Sequence, residues 1–166
     1  MVVNVCVRSA LFPALNRQER RKIDDKIWSA SGITLHYSGE QLDQADLTVY
    51  LELIHAMDKS GRLETTKHSI LKALGKTTGS DVYRWLDGCI RRLKKADITI
   101  ETEGTQKKKG YRYLGGLIHS VKEDLESGEM QFSLDPNFAR LFTDDGYTII
   151  DIAQRRALSS PTAQCL

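Results

Sequence analysis

Cysteine is scarce in this chain of 166 residues. Cys6, Cys89 and Cys165 are few, odd in number and far apart, and no Cys-x-x-Cys occurs. Neither a disulfide scaffold nor a zinc site is expected, and a reduced, cytoplasmic setting fits best. Cys89 falls on the apolar side of a helical pattern, where a free thiol serves as a small core residue. The histidines at 36, 55, 68 and 119 lack metal-ligand spacing. No apolar run approaches the ~20 residues that a membrane helix needs. Residues 1–7 have no basic start ahead of their short apolar run and no small-residue cleavage site, so no signal peptide is read there.

Catalytic and nucleotide-binding patterns are missing too. Gly75-Lys76-Thr77 looks like the end of a P-loop, but Ile70 stands where that pattern needs a glycine, and a helix precedes it instead of a strand. No Gly-x-Ser-x-Gly occurs. Glu123, Asp124 and Glu126 lie in an acidic turn and read as solvated loop charge. Nothing argues for an enzyme, and no cofactor is expected. What remains is an ordinary globular composition, 40% hydrophobic and 28% charged with three prolines. The length suits one domain of common size.

Charge is unevenly spread. The net charge is only +2, but residues 67–112 hold twelve basic against five acidic residues, a net of +7. Residues 122–151 hold two basic against eight acidic, a net of −6. Such a dipole favours phosphates on one side and repels them on the other.

The basic part has a recognisable order. After an extended piece at 62–65, Ile70, Leu71 and Leu74 mark a short helix that Gly75 closes. A turn, Gly75-Lys76-Thr77-Thr78-Gly79, leads to a long helix over 80–95. Thr78 is its expected cap, with Asp81 in the first turn. Val82, Trp85, Leu86, Cys89, Ile90 and Leu93 form its apolar face, and Arg84, Arg91, Arg92 and Lys95 lie mostly elsewhere. A strand around Ile98-Thr99-Ile100-Glu101, a turn over 104–110 and a return over 111–121 make a hairpin tipped by Lys107, Lys108 and Lys109. Helix, turn, basic helix and basic hairpin make up a winged helix, so the fold class expected is α+β.

The flanks complete the pattern. Residues 1–26 read as a basic arm or surface helix. Ile27-Trp28-Ser29 and Ile33-Thr34-Leu35-His36-Tyr37 read as a hairpin turning at Ser31-Gly32. Asp43 is a good N-cap, with Leu42 and Leu47 as a hydrophobic staple. Leu47, Tyr50, Leu51, Ile54 and Met57 form a helical stripe, widened by Val49, Leu53 and Ala56, which predicts a buried spine stopped by Gly61. Gly115-Gly116 suggests a bulge or close backbone approach. Met130-Gln131-Phe132-Ser133-Leu134 reads as the third strand of an antiparallel meander. Asp135-Pro136 then opens a short helix anchored by Phe138, Leu141 and Phe142. The winged-helix domain is therefore expected over 27–152, with 153–166 beginning a linker or helix.

Several segments resemble one family. Arg8-Ser9-Ala10-Leu11-Phe12 and the run from Ile33-Thr34-Leu35 to Gln44-Ala45-Asp46-Leu47 are similar to the TrfA-type plasmid replication initiators. So are Leu71-Lys72-Ala73-Leu74-Gly75-Lys76-Thr77-Thr78-Gly79, Trp85-Leu86, Arg91-Arg92-Leu93, Tyr113-Leu114-Gly115-Gly116-Leu117-Ile118 and Arg155-Arg156-Ala157-Leu158. The likeness spans nearly the whole chain. Gly39-Glu40-Gln41-Leu42-Asp43-Gln44-Ala45-Asp46 is its most specific part. The resemblance implies a cytoplasmic, tandem winged-helix protein that binds iteron repeats at a plasmid origin, helps open the duplex and recruits host replication proteins. This chain would hold the first of the two domains, which touches DNA and serves dimerisation.

Two functions follow. In the first, the third helix enters or skirts the major groove of double-stranded DNA. Lys76, Thr77, Thr78, Ser80, Asp81 and Arg84 make the contacts near its N-terminus, with Arg91, Arg92 and Lys95 farther along the backbone. Lys107, Lys108, Lys109 and Arg112 then form a wing over adjacent phosphates or the minor groove. In the second, the domain governs dimerisation and protein contacts through the meander edge, and the acidic second half favours that reading. The partners expected are origin DNA, the host replication initiator and helicase, and a homodimer. No membrane is involved.

Overall fold

The computed structural model describes residues 2–3, 9–15, 20–29, 32–104, 109–138 and 147–148. In chain order the elements are β1 (Val2–Val3), β2 (Lys22–Ile27), β3 (Ile33–Glu40), α1 (Gln44–Ala56), β4 (Arg62–Thr66), α2 (Lys67–Ala73), α3 (Ser80–Lys95), β5 (Asp97–Thr102), β6 (Tyr111–Gly116), β7 (Ser120–Glu123), β8 (Glu129–Ser133) and β9 (Tyr147–Thr148). Among the described residues all strand pairs are antiparallel. They form a four-stranded sheet in the order β2-β3-β5-β6, a three-stranded sheet β4-β8-β7, and the pair β1-β9. The fold class is α+β, as expected.

α1 starts where its sequence says. The Asp43 carboxylate accepts from the backbone N–H groups of Ala45 and Asp46, and the Asp46 carboxylate accepts from the Asp43 N–H, a reciprocal capping box. Leu42, Leu47, Val49, Tyr50, Leu51 and Leu53 are buried, and so are the polar Gln44, Asp46 and Glu52. A helix buried on most sides is the spine the stripe predicted. It ends at Ala56, with Met57 already extended, ahead of Gly61.

The two larger sheets are set by rows of apolar side chains. Ile27, Leu35, Ile100 and Tyr113 stand opposite one another across β2, β3, β5 and β6. Leu63, Phe132 and Val121 do so across β4, β8 and β7. Matching these rows buries one face of each sheet, and this fixes register.

Three expectations change here. Residues 22–27 form a strand, not part of a helical arm: Ile23 and Ile27 are the half-buried positions of an edge strand whose other residues are exposed. The expected three-stranded meander divides between sheets. The chain breaks at 117–119, where Leu117 and Ile118 turn into the core, so β7 and β8 join β4 instead of following β6. Finally, Thr78 does not cap α3. Gly79 is the N-cap, without a side-chain bond, and its carbonyl accepts from Val82 and Tyr83 at 3.0 Å each.

Other readings agree with the structure. Gly116 does allow a close approach: a Cβ there would lie 3.0 Å from the Ala96 carbonyl oxygen. The Asp135 carboxylate accepts from the Asn137 and Phe138 N–H groups, and Phe138 is buried with its ring 5.3 Å from that of Tyr113. Leu141, Phe142 and the stretch 153–166 lie outside the described residues.

Candidate nucleic-acid interface

α3 is split lengthwise. Leu86, Cys89, Ile90 and Leu93 are buried against α1, β3 and β6, with Val82, Tyr83 and Trp85 packed beside them. Full burial of such side chains contributes roughly 1.5–3 kcal/mol each for the large ones, which fixes the helix about its own axis. At 100° per residue the opposite line carries Ser80, Arg84, Arg91, Lys94 and Lys95, all exposed. Arg84 pairs with Asp81 at 3.1 Å, but both groups face water, where such a pair is weak.

Arg92 is different. Its guanidinium turns toward α1, with Nε 3.1 Å from both Asp46 carboxylate oxygens and an NH2 nitrogen 2.8 Å from Oδ1. Arg20 reaches the same carboxylate at 2.9 Å, donates to the Gln41 carbonyl at 3.0 Å, and pairs with Asp43. Glu40 lies 4.0 Å from Arg92. Asp46 is fully buried: burial pushes its carboxyl up, but the hydrogen bonds from Arg92 and Arg20 outweigh this and hold it below the usual 3.8. Burial and the neighbouring Asp46 charge raise Asp43 instead. Burial pushes the Cys89 thiol up, so it stays protonated.

This cluster explains the motif at 39–46. Glu40, Asp43 and Asp46 hold two arginines from distant parts of the chain, and the Gln44 side chain donates to the Phe12 carbonyl. The Phe12 ring stacks near Tyr50 with centroids 6.3 Å apart. The motif therefore fastens the N-terminal segment, α1 and α3 together.

The turn before α3 is also built. Gly75 has φ +66, a left-handed conformation that suits glycine, and its N–H bonds the Lys72 carbonyl while Lys76 bonds that of Leu71. The Lys76 ammonium lies 4.5 Å from the centre of the Trp85 ring. Lys76, Thr77, Asp81 and Trp85 line a groove of about 480 Å3 there, and Thr77, Thr78 and Ser80 are exposed.

The basic hairpin, β5–β6, belongs to the four-stranded sheet. β5 begins just after α3 and runs six residues, about 20 Å of chain, before its turn. Just past its end the Glu103 N–H bonds the Gly32 carbonyl, which ties the end of β5 to the residue before β3. Lys109 is exposed, and Arg112 pairs with Glu101 directly opposite it. Lys107 and Lys108 lie outside the described residues. The hairpin that shares a sheet with β4 is β7–β8, and it carries Glu123, Asp124, Glu126 and Glu129. Lys67 is neutralised by Asp87 at 2.7 Å and Glu123 at 2.9 Å.

A second groove, about 490 Å3, runs between β2–β3 and the C-terminal half of α3, lined by Lys22, Asp24, Glu40, Arg91, Arg92 and Lys95 among others. Lys22 in this groove and the exposed Lys94 on α3 lie outside the set of residues expected from the sequence. Lys94 follows from helical spacing after Arg84 and Arg91. The Ile23–Ile27 spacing that hid Lys22 fits a helix as well as a strand.

Known structures share this fold. Two crystal structures of domains 2 and 3 of RctB, one a selenomethionine derivative, match with TM-scores of 0.51 and 0.52 at 15% and 14% identity. Each match covers 81% of this chain and 57% of the other, so the chain spans a little over half their length. Identity this low speaks for the fold alone. No protein-family model and no curated protein sequence matches the chain. Among the described residues, no helix is long and apolar enough to cross a membrane.

Proposed function

We propose that this chain is a DNA-binding domain of a replication initiator and that it grips duplex DNA with the exposed face of α3. The observation that carries this reading is the division of that helix. Apolar residues lock one side into the core, and Arg84, Arg91, Lys94 and Lys95 line the other. Fixed cations at helical spacing suit phosphates on either side of a groove, and Lys76, Thr77, Thr78, Ser80 and Asp81 then stand where base or phosphate contacts are made. The shared fold with RctB, a replication initiator, supports the class. The resemblance to TrfA-type initiators supplies the finer expectation: iteron repeats at a plasmid origin, with a host initiator and helicase as partners. Lys107, Lys108, Lys109 and Arg112 make a second phosphate contact, and Arg92 acts from inside as a structural residue.

The test is fluorescence anisotropy with a labelled iteron duplex and a scrambled one of equal length, across a salt series. Tighter binding of the iteron duplex, weakening steeply with salt, is expected. No binding to either duplex at low salt would remove the reading.

A second role in protein contact is favoured by one observation. The hairpin beside β4 is acidic, and its tip exposes Leu125 at 91%. A mass that rises with concentration is the expected sign of self-association, and a strict monomer at high concentration counts against it.

A further inference from the structure

Resting on the DNA-binding reading, we infer that a backbone phosphate of the bound duplex sits in the groove between strand β2 and the C-terminal half of α3, held by Lys22, Arg91 and Lys95. These three cations come from two elements far apart in sequence and converge on one groove. None of them forms an ion pair among the described residues. Lys22 stands directly opposite Glu40 across the β2–β3 pair, yet Glu40 has Arg92 as its cation at 4.0 Å. Arg92 is committed to Asp46 and forms the wall. Asp24, exposed on the rim, is the one lining carboxylate without a cation among the described residues, and it opposes an anion.

The clamp of Arg20, Asp43 and Asp46 builds this groove. Arg20 is tied to Asp43, Asp46 and the Gln41 carbonyl, and the Gln41 N–H bonds the Arg21 carbonyl at 2.8 Å. The backbone is thereby fixed one and two residues before Lys22. Gly39, with φ +152, closes the other side: a Cβ there would lie 2.8 Å from the Tyr37 hydroxyl and 3.5 Å from the Lys95 carbonyl oxygen. Strand β3 therefore approaches the end of α3 closely enough to bring Lys22 within reach of the phosphate that Arg91 and Lys95 would meet. Edge strand β2 thus becomes part of the DNA-facing surface.

The experiment uses the whole chain and the labelled iteron duplex. Salt dependence is measured for wild type, Lys22→Ala, Asp24→Asn and Arg84→Ala, with thermal midpoints as folding controls. Lys22→Ala should make the slope of log affinity against log salt shallower by about one, with an unchanged midpoint. Asp24→Asn, which removes the opposing carboxylate, should tighten binding. If Lys22→Ala and Asp24→Asn bind like wild type while Arg84→Ala weakens, the groove is not a phosphate site and the helix reading stands. If none of the three changes binding, both readings fall.

Discussion

Two faces of α3 meet at Arg91 and Arg92. Arg91 is exposed beside a groove, while the guanidinium of Arg92 is turned inward onto a fully buried aspartate. The same residue type thus does two jobs on adjacent positions, and a 100° rotation about the helix decides which. On the outer face charge is available to a polyanion. On the inner face it is consumed in holding the N-terminal segment, α1 and α3 together. A count of basic residues cannot separate the two.

Breaking the inner face should have the largest effect. Asp46→Ala leaves Arg20 and Arg92 without their shared carboxylate, and a loss of about 3–5 kcal/mol in urea unfolding is expected. Arg92→Lys should lose a smaller part of that, since an ammonium cannot span both Asp46 oxygens, whereas Arg91→Lys should leave unfolding unchanged. On the outer face, Arg84→Ala with Arg91→Ala should reverse the pattern. Stability should stay within about 0.5 kcal/mol, while the salt slope of DNA binding becomes shallower by about two. Equal destabilisation by Arg91→Ala and Arg92→Ala would erase the distinction between the faces.

The pH dependence sharpens it further. Asp46 has a folded pKa below 3.8, so its contribution is present above pH 3.8 and is lost as pH falls through the folded value. Asp43, raised above 3.8, works oppositely, giving up stability as pH rises from 3.8 through its own folded value. Thermal midpoints should therefore fall below pH 3.8, and Asp46→Asn should flatten that limb. The smallest effect concerns the start of α3. Thr78→Ala should alter unfolding by less than about 0.5 kcal/mol, because Gly79 is the N-cap, while Asp43→Ala should cost at least about 1 kcal/mol through its lost cap.

Much of this was legible beforehand. The limits of α3, its buried Leu86, Cys89, Ile90 and Leu93, and the Asp43 cap follow from spacing and side-chain chemistry within a few turns of chain. The 39–46 motif stood out as distinctive, but its role as a clamp did not, because its partners Arg20 and Arg92 are distant in sequence. The strand at 22–27 is not legible in the sequence, because only pairing with β3 selects it over a helix.

Local residue chemistry sets where helices begin, which of their faces are apolar, where charge of each sign accumulates, and that the class is α+β. Those follow from periodicity and from hydrogen bonds between near neighbours. Long-range packing sets which hairpin shares the sheet with β4, which cations are already neutralised, and that Lys22 joins Arg91 and Lys95 in one groove. Each of these depends on matching apolar rows or opposite charges from segments far apart along the chain, and no local pattern carries that information.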